Sequence, residues 1–172
     1  IWQSNHALWL ELAENPKFAR HALPWQNLAS DHLKHGELDE AERLFQKALA
    51  SEVPPDAQSY ALIHVGLGSV WSERANRSLQ TNDVRGALRQ LEEAERAYGE
   101  AFARNAADWT FPSNLGRARL QRVVLLRAAT KTVDWELLAR ARQDLQLALR
   151  MSPGNPDVAG LLKLCDDIYA GR

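Results

Sequence analysis

The sequence predicts an all-α fold in which antiparallel helical hairpins stack in series as an α-solenoid. Three observations predict it. Apolar residues recur at helical spacing over nearly the whole chain. Glycine and proline sit mostly between those periodic segments. A pattern of small and bulky residues is repeated along the sequence. Strand signals are poor, with no alternating β-branched runs and no Asn-Gly or Asp-Gly hairpin turn.

Periodicity places helices over residues 4–14, 22–34, 38–51, 57–79, 84–104, 111–129, 134–150 and 156–169. Pro16 and Lys17 end the first. Gly36 fits the tight connection between the second and third, because a residue without Cβ takes a left-handed turn at no steric cost. Pro54-Pro55-Asp56 stops the third, and the Asp56 carboxylate is placed to cap the fourth. Thr81-Asn82-Asp83 offers oxygen caps for the fifth. Thr110 precedes Phe111-Pro112, and a first-turn proline loses no hydrogen bond. Thr132 or Asp134 caps the seventh. Asn155-Pro156-Asp157 gives the last a cap, a first-turn proline and an acidic residue facing the helix dipole.

The stretch from Trp25 to Pro54 carries a specific spacing. Trp25, Leu28 and His32 share one face of the first helix at i, i+3 and i+7. Ala29, Ala41 and Ala48 are small where two helices must approach closely, and Phe45 fills the space between them. Leu67-Gly68 with Trp71, then Ala94, Tyr98 and Ala101, repeat the arrangement. Leu115-Gly116, then Ala141, Leu145, Ala148 and Pro153, repeat it again.

This spacing resembles the tetratricopeptide repeat, a helical hairpin of about 34 residues. The resemblance covers Ser4 to Ile168 and is clearest in the first copy. Ala29, His32 and Pro54 depart from the family, which prefers Gly and Tyr at the first two places and a proline one residue earlier. The implied organisation is a single domain: a partial repeat helix at 4–16, a repeat at 22–54, lengthened repeats at 57–106 and 110–153, and a capping helix at 156–169. The lengthened copies carry about 14 and 13 extra residues. An excess near two heptads, split evenly, adds about two turns to each helix and keeps the buried face in phase. The tips then fall at 77–85 and 129–134. Terminal helices cover the apolar face of the last repeat in such stacks.

The opening is similar to a second group. Trp2, Leu8-Trp9, Asn15-Pro16 and Trp25-Gln26-Asn27-Leu28-Ala29 look like the start of repeat domains that follow the last membrane span of glycosyltransferase-like membrane proteins. That resemblance implies an extracytoplasmic accessory domain, attached to a membrane through upstream sequence, instead of a cytoplasmic one. The chain starts at Ile1 without a methionine, as an excerpt or processed product would.

Composition bounds the function class. The chain has 172 residues, enough for one domain with a sizeable core. Its net charge is −1, which argues against a dedicated nucleic-acid binder. Cys165 is the single cysteine, so neither an internal disulfide nor a cysteine-rich zinc site is expected. His32 and His35 lack the further ligands a metal needs, and His32 reads as a hydrogen-bonded, partly buried imidazole. No phosphate loop, nucleophile elbow or His-Glu-x-x-His motif is present, so neither catalysis nor a cofactor is expected. Cys165 reads as a small buried hydrophobe. Trp2 and Trp9 share a face that packs on the first full hairpin, or mediates weak self-association. Charge is uneven, acidic over 37–56 and basic over 117–150, which reads as solvated outer faces or as poles for a partner.

The expected function is a protein-interaction scaffold that holds a peptide or protein on a concave helical surface. The family resemblance implies that the first helix of each hairpin lines that surface. The corresponding non-core positions are Gln26, Ser30 and Lys34, then Val65, Ser69 and Glu73, then Ser113, Arg117 and Gln121. Some relatives grip a peptide carboxylate through Lys and Asn at such places. Gln26, Ser30, Val65 and Ser69 stand there instead, and Arg117 is the cation best placed to meet an acidic group.

Overall fold

The computed structural model describes residues 2–171, with side chains from His6 onward. Eight α-helices account for the regular structure: α1 (Trp2–Glu14), α2 (Ala22–Lys34), α3 (Leu38–Leu49), α4 (Ala57–Gln80), α5 (Val84–Arg104), α6 (Thr110–Thr130), α7 (Trp135–Met151) and α8 (Pro156–Tyr169). The described residues contain no strand. A lone parallel bridge, with Val53 N–H donating to the Arg20 carbonyl, ties the start of α2 to the end of α3. No described helix is long and apolar enough to cross a membrane.

The helix boundaries follow from local chemistry. Asp56 accepts from the Ser59 N–H at 2.7 Å, Asp83 from Gly86 at 2.8 Å, and Asp134 from Leu137 at 3.0 Å. Asn155 accepts from both Asp157 and Val158 at 3.1 Å, directly ahead of Pro156. Each cap satisfies a backbone donor that has no partner inside the helix. At α6 the oxygen comes from Asp108, which accepts from the Thr110 N–H and hydroxyl at 2.9 and 2.7 Å. Gly36 takes the left-handed turn between α2 and α3, at φ +75°. Asn82 and Lys131 do the same after α4 and α6.

Length separates the helix pairs. α2 and α3 have 13 and 12 residues, whereas α4 and α5 have 24 and 21, and α6 and α7 have 21 and 17. The extra turns lie toward the tight connections 81–83 and 131–134. Each helix packs on its neighbour in sequence, and in addition α2 meets α4 and α6 meets α8.

Small residues set the closest approaches. A Cβ on Gly66 would lie 2.1 Å from the ring of Phe45, and one on Gly68 would lie 2.5 Å from Tyr98. One on Gly116 would lie 2.8 Å from Leu145 and 3.1 Å from the Ala141 carbonyl oxygen. Each glycine of α4 and α6 thus receives a bulky side chain of α3, α5 or α7. Ala29, Ala41, Ala48, Ala94, Ala101, Ala141 and Ala148 are all buried at the same kind of contact. The core runs the length of the chain. One cluster joins α1, α2, α3 and α4 around Phe45, and another joins α6, α7 and α8 around Leu138 and Leu145. Smaller clusters around Tyr98, Phe111 and Leu91 bridge α4, α5 and α6. Trp9 packs on the first cluster, while the Trp2 side chain lies outside the described residues.

Arginines stitch successive pairs together. Arg74 of α4 donates to Glu42 and Asp39 of α3, both at 2.6 Å. Arg119 of α6 donates to Glu95 of α5 at 2.8 Å and to Asp144 of α7 at 2.6 Å. Arg122 reaches Glu95 and Glu92. Arg142 of α7 donates to Asp166 of α8 at 2.8 Å. Part of the acidic stretch near α3 (Asp39, Glu42) and part of the basic stretch of α6 and α7 (Arg119, Arg122, Arg142) therefore pair across helix interfaces, while Arg43 and Arg140 pair with acids of their own helices.

Candidate functional site: a cleft between the long helices

α4 and α6 both lie against α5, and a cleft runs between them. Its polar end has a volume of about 360 Å³ and is lined by Ser69, Ser72, Glu73 and Asn76 of α4, Asn114, Arg117 and Gln121 of α6, and Tyr98 of α5. Its apolar end, about 320 Å³, is lined by Ala75, Leu79, Leu120, Val124 and Leu125, with Leu91 of α5 at its base. Leu161 and Leu164 of α8 close its far side. Asn76, Arg117 and Gln121 line both ends, so the two compartments are continuous.

The sequence builds the cleft in two ways. The Gly68–Tyr98 contact holds α4 close to α5, and the Tyr98 hydroxyl meets the Ser69 and Ser72 hydroxyls at 3.3 Å on the polar floor. The extra turns of α4 and α6 then supply Leu79, Val124 and Leu125. Leu79, Val124 and Leu164 stay 38%, 40% and 43% exposed, so the apolar end is open to solvent. These apolar side chains share one open compartment that Asn76, Arg117 and Gln121 border with polar groups. Arg117 is exposed and has no ion pair among the described residues.

Four of the nine positions read from the sequence meet here: Ser69, Glu73, Arg117 and Gln121. The Ser69 hydroxyl also donates to the Val65 carbonyl at 2.9 Å, and Glu73 accepts from Asn76 at 3.3 Å. Gln26, Ser30 and Lys34 lie on α2 and line neither end. The Ser30 hydroxyl donates to the Gln26 carbonyl at 2.9 Å, and Lys34 is exposed. Val65 is half-buried and packs toward Tyr98, Phe111 and Leu115. Ser113 is a correction: it is buried, 3% exposed, and offers nothing to a partner. The reason is that the whole first turn of α6, with Phe111 and Pro112, is wedged into the core beside Ala61 and Ala101. The sequence reading missed Asn76, Leu79, Val124, Leu125, Leu161 and Leu164. The apolar positions that continue at helical spacing through 75–79 and 120–125 were the available signal.

Other groups have quieter roles. His32 of α2 pairs through Nδ1 with Glu37 ahead of α3, and His6 pairs with Asp31 at 2.6 Å, which fastens α1 to α2. No described group of His, Cys, Asp and Glu is arranged to hold a metal. Cys165 is fully buried, and burial pushes its thiol up to about 11. His64 lies against the Tyr60 ring at 4.4 Å, with both ring nitrogens buried and without a hydrogen-bond partner. Burial holds its imidazole below the ordinary range, reinforced by Arg104 and opposed by Glu100.

No protein-family model matches the chain, and no curated protein matches it.

Proposed function

We propose that this chain is a protein-interaction module of tetratricopeptide type, a stack of helical hairpins whose working surface is the cleft between α4 and α6. It acts by shape and charge matching, without chemistry. The observation that carries the reading is the open apolar end of the cleft, where Leu79, Val124 and Leu164 stay exposed beside the unpaired Arg117. Solvent-exposed leucine and valine in one concave patch cost free energy that a partner's apolar side chains recover on binding. The Gly68–Tyr98 and Gly116–Leu145 contacts and the buried alanines support the repeat reading, because they involve the residues that the repeated spacing singles out. The longer helices gain a purpose on this account, since their added turns supply the apolar lip.

Site-specific photocrosslinking in the native cell tests it. A photoreactive residue at Val124 or Leu164 should trap a partner protein, and one at the exposed Ala103, outside the cleft, should not. Equal trapping at all three places would remove the cleft as the working surface.

A further inference from the structure

We infer that the occupant of the cleft is an amphipathic helix of a partner protein, about three turns long, with an aliphatic stripe and a carboxylate aimed at Arg117. The inference rests on the cleft being the working surface. Length comes first: along α4 the cleft runs from Ser69 to Leu79, about 15 Å at helical rise. Backbone chemistry then decides the occupant's conformation. Every wall is a helix whose own N–H and C=O groups are paired, and the apolar end presents Ala75, Leu79, Leu91, Leu120, Val124 and Leu164. An extended segment laid there would lose water from its backbone groups and leave most of them without partners, since of the side chains lining that end only Asn76, Arg117 and Gln121 form hydrogen bonds. A helix satisfies its backbone internally and presents apolar side chains at i, i+3, i+4 and i+7. The walls are themselves ridged at that spacing, by Ala75 and Leu79, by Leu120 and Val124, and by Leu161 and Leu164.

Charge fixes the polarity of the match. The arginines of the neighbouring interfaces, Arg74, Arg119, Arg122 and Arg142, are committed to internal carboxylates. Arg117 lies where the two compartments meet and has no such partner among the described residues. A guanidinium there favours a carboxylate, and a bidentate one at best. Glu73, on the opposite wall, stands against a second acid deeper in the polar end. The occupant's acid therefore belongs at the junction, with aliphatic residues toward Leu164.

Random peptides of about 16 residues, displayed on phage, test this when selected against the folded chain. Enriched sequences should carry aliphatics at helical spacing and one Asp or Glu beside that stripe. As free peptides they should gain helical circular dichroism on binding. Val124→Glu and Leu164→Glu should weaken binding about tenfold or more. Both sites are exposed, and unchanged far-UV dichroism of each variant establishes that it folds. Arg117→Glu should shift a repeated selection from acidic to basic residues. Cleft-dependent peptides that stay extended, or carry no acid, overturn this inference and leave the cleft in place. Peptides indifferent to Leu164→Glu, or no enrichment at all, overturn both. A dimer in sedimentation that Leu164→Glu dissolves gives the cleft to a second copy and overturns the partner-helix inference.

Discussion

Four of the glycines inside α4, α5 and α8, at Gly66, Gly68, Gly99 and Gly160, make a series in which one substitution changes sign with its surroundings. Glycine within a helix costs about 1 kcal/mol relative to alanine, through backbone entropy. At Gly99 and Gly160 nothing lies within 4 Å of an added Cβ. Gly99→Ala and Gly160→Ala should therefore each stabilise by about 0.5–1 kcal/mol. At Gly66 and Gly68 the added carbon would sit 2.1 Å from the Phe45 ring and 2.5 Å from the Tyr98 ring. Both rings are buried, so neither swings aside. Overpacking costs about 1–3 kcal/mol, which at so close a contact outweighs the propensity gain and leaves a net loss of up to about 2 kcal/mol. For a chain of this size each kcal/mol moves the melting temperature by about 2–4 °C. Thermal unfolding by circular dichroism should show Gly99→Ala and Gly160→Ala melting above the parent, and Gly66→Ala and Gly68→Ala below it. Phe45→Leu combined with Gly66→Ala should lose less than the two single losses added. If Gly66→Ala melts with Gly99→Ala, the close approach of α3 to α4 is wrong, and with it the stacking of successive pairs.

Three further outcomes follow from the ionisable groups. Burial lowers the proton affinity of His64 in the fold, so as pH falls through the ordinary imidazole range, near pH 6.5, the unfolded chain binds a proton more readily than the native one. Stability should thus fall as pH drops from 7.5 to 5.5, and urea midpoints for His64→Leu should flatten that part of the profile. Arg119→Ala should cost about 2–3 kcal/mol by denaturant unfolding, because it strands the largely buried Asp144 carboxylate and leaves Glu95 with Arg122 alone, whereas loss of the exposed Arg142–Asp166 pair should be barely measurable. Cys165, buried and with its thiol raised to about 11, should resist a thiol-disulfide reagent at pH 8 in the native chain and react at once in denaturant.

Much of the fold is written in short-range chemistry. Asp56, Asp83, Asp134 and Asn155 each cap a helix as their type and position imply, because a cap involves only residues two or three apart. The pairing of Gly68 with Tyr98, and of Gly116 with Leu145, follows from the recurrence of small and bulky residues. The helical periodicity read over 57–79 is unbroken, and α4 runs for 24 residues. What stayed hidden depends on residues far apart in the chain. Arg74 meets Asp39 across 35 positions and Arg122 meets Glu92 across 30, so neither pair leaves a local signature. Ser113 looked like a surface residue because its helix position is polar by type, but it is buried with Phe111 and Pro112 in the first turn of α6. The apolar lip was missed for a related reason. Candidate positions were taken one turn either side of Leu67-Gly68 and Leu115-Gly116, and the added turns carried the cleft beyond them, to Leu79, Val124 and the α8 leucines.

Methyl NMR provides the most direct test of the account. Leu and Val methyls are labelled in the whole chain, and the strongest selected peptide is titrated in. The account predicts that Leu79, Val124 and Leu164 shift together and saturably, while the equally exposed Leu8, Leu10 and Leu23 at the other end stay still. Shifts confined to Leu8, Leu10 and Leu23, with the cleft methyls unmoved, would contradict it.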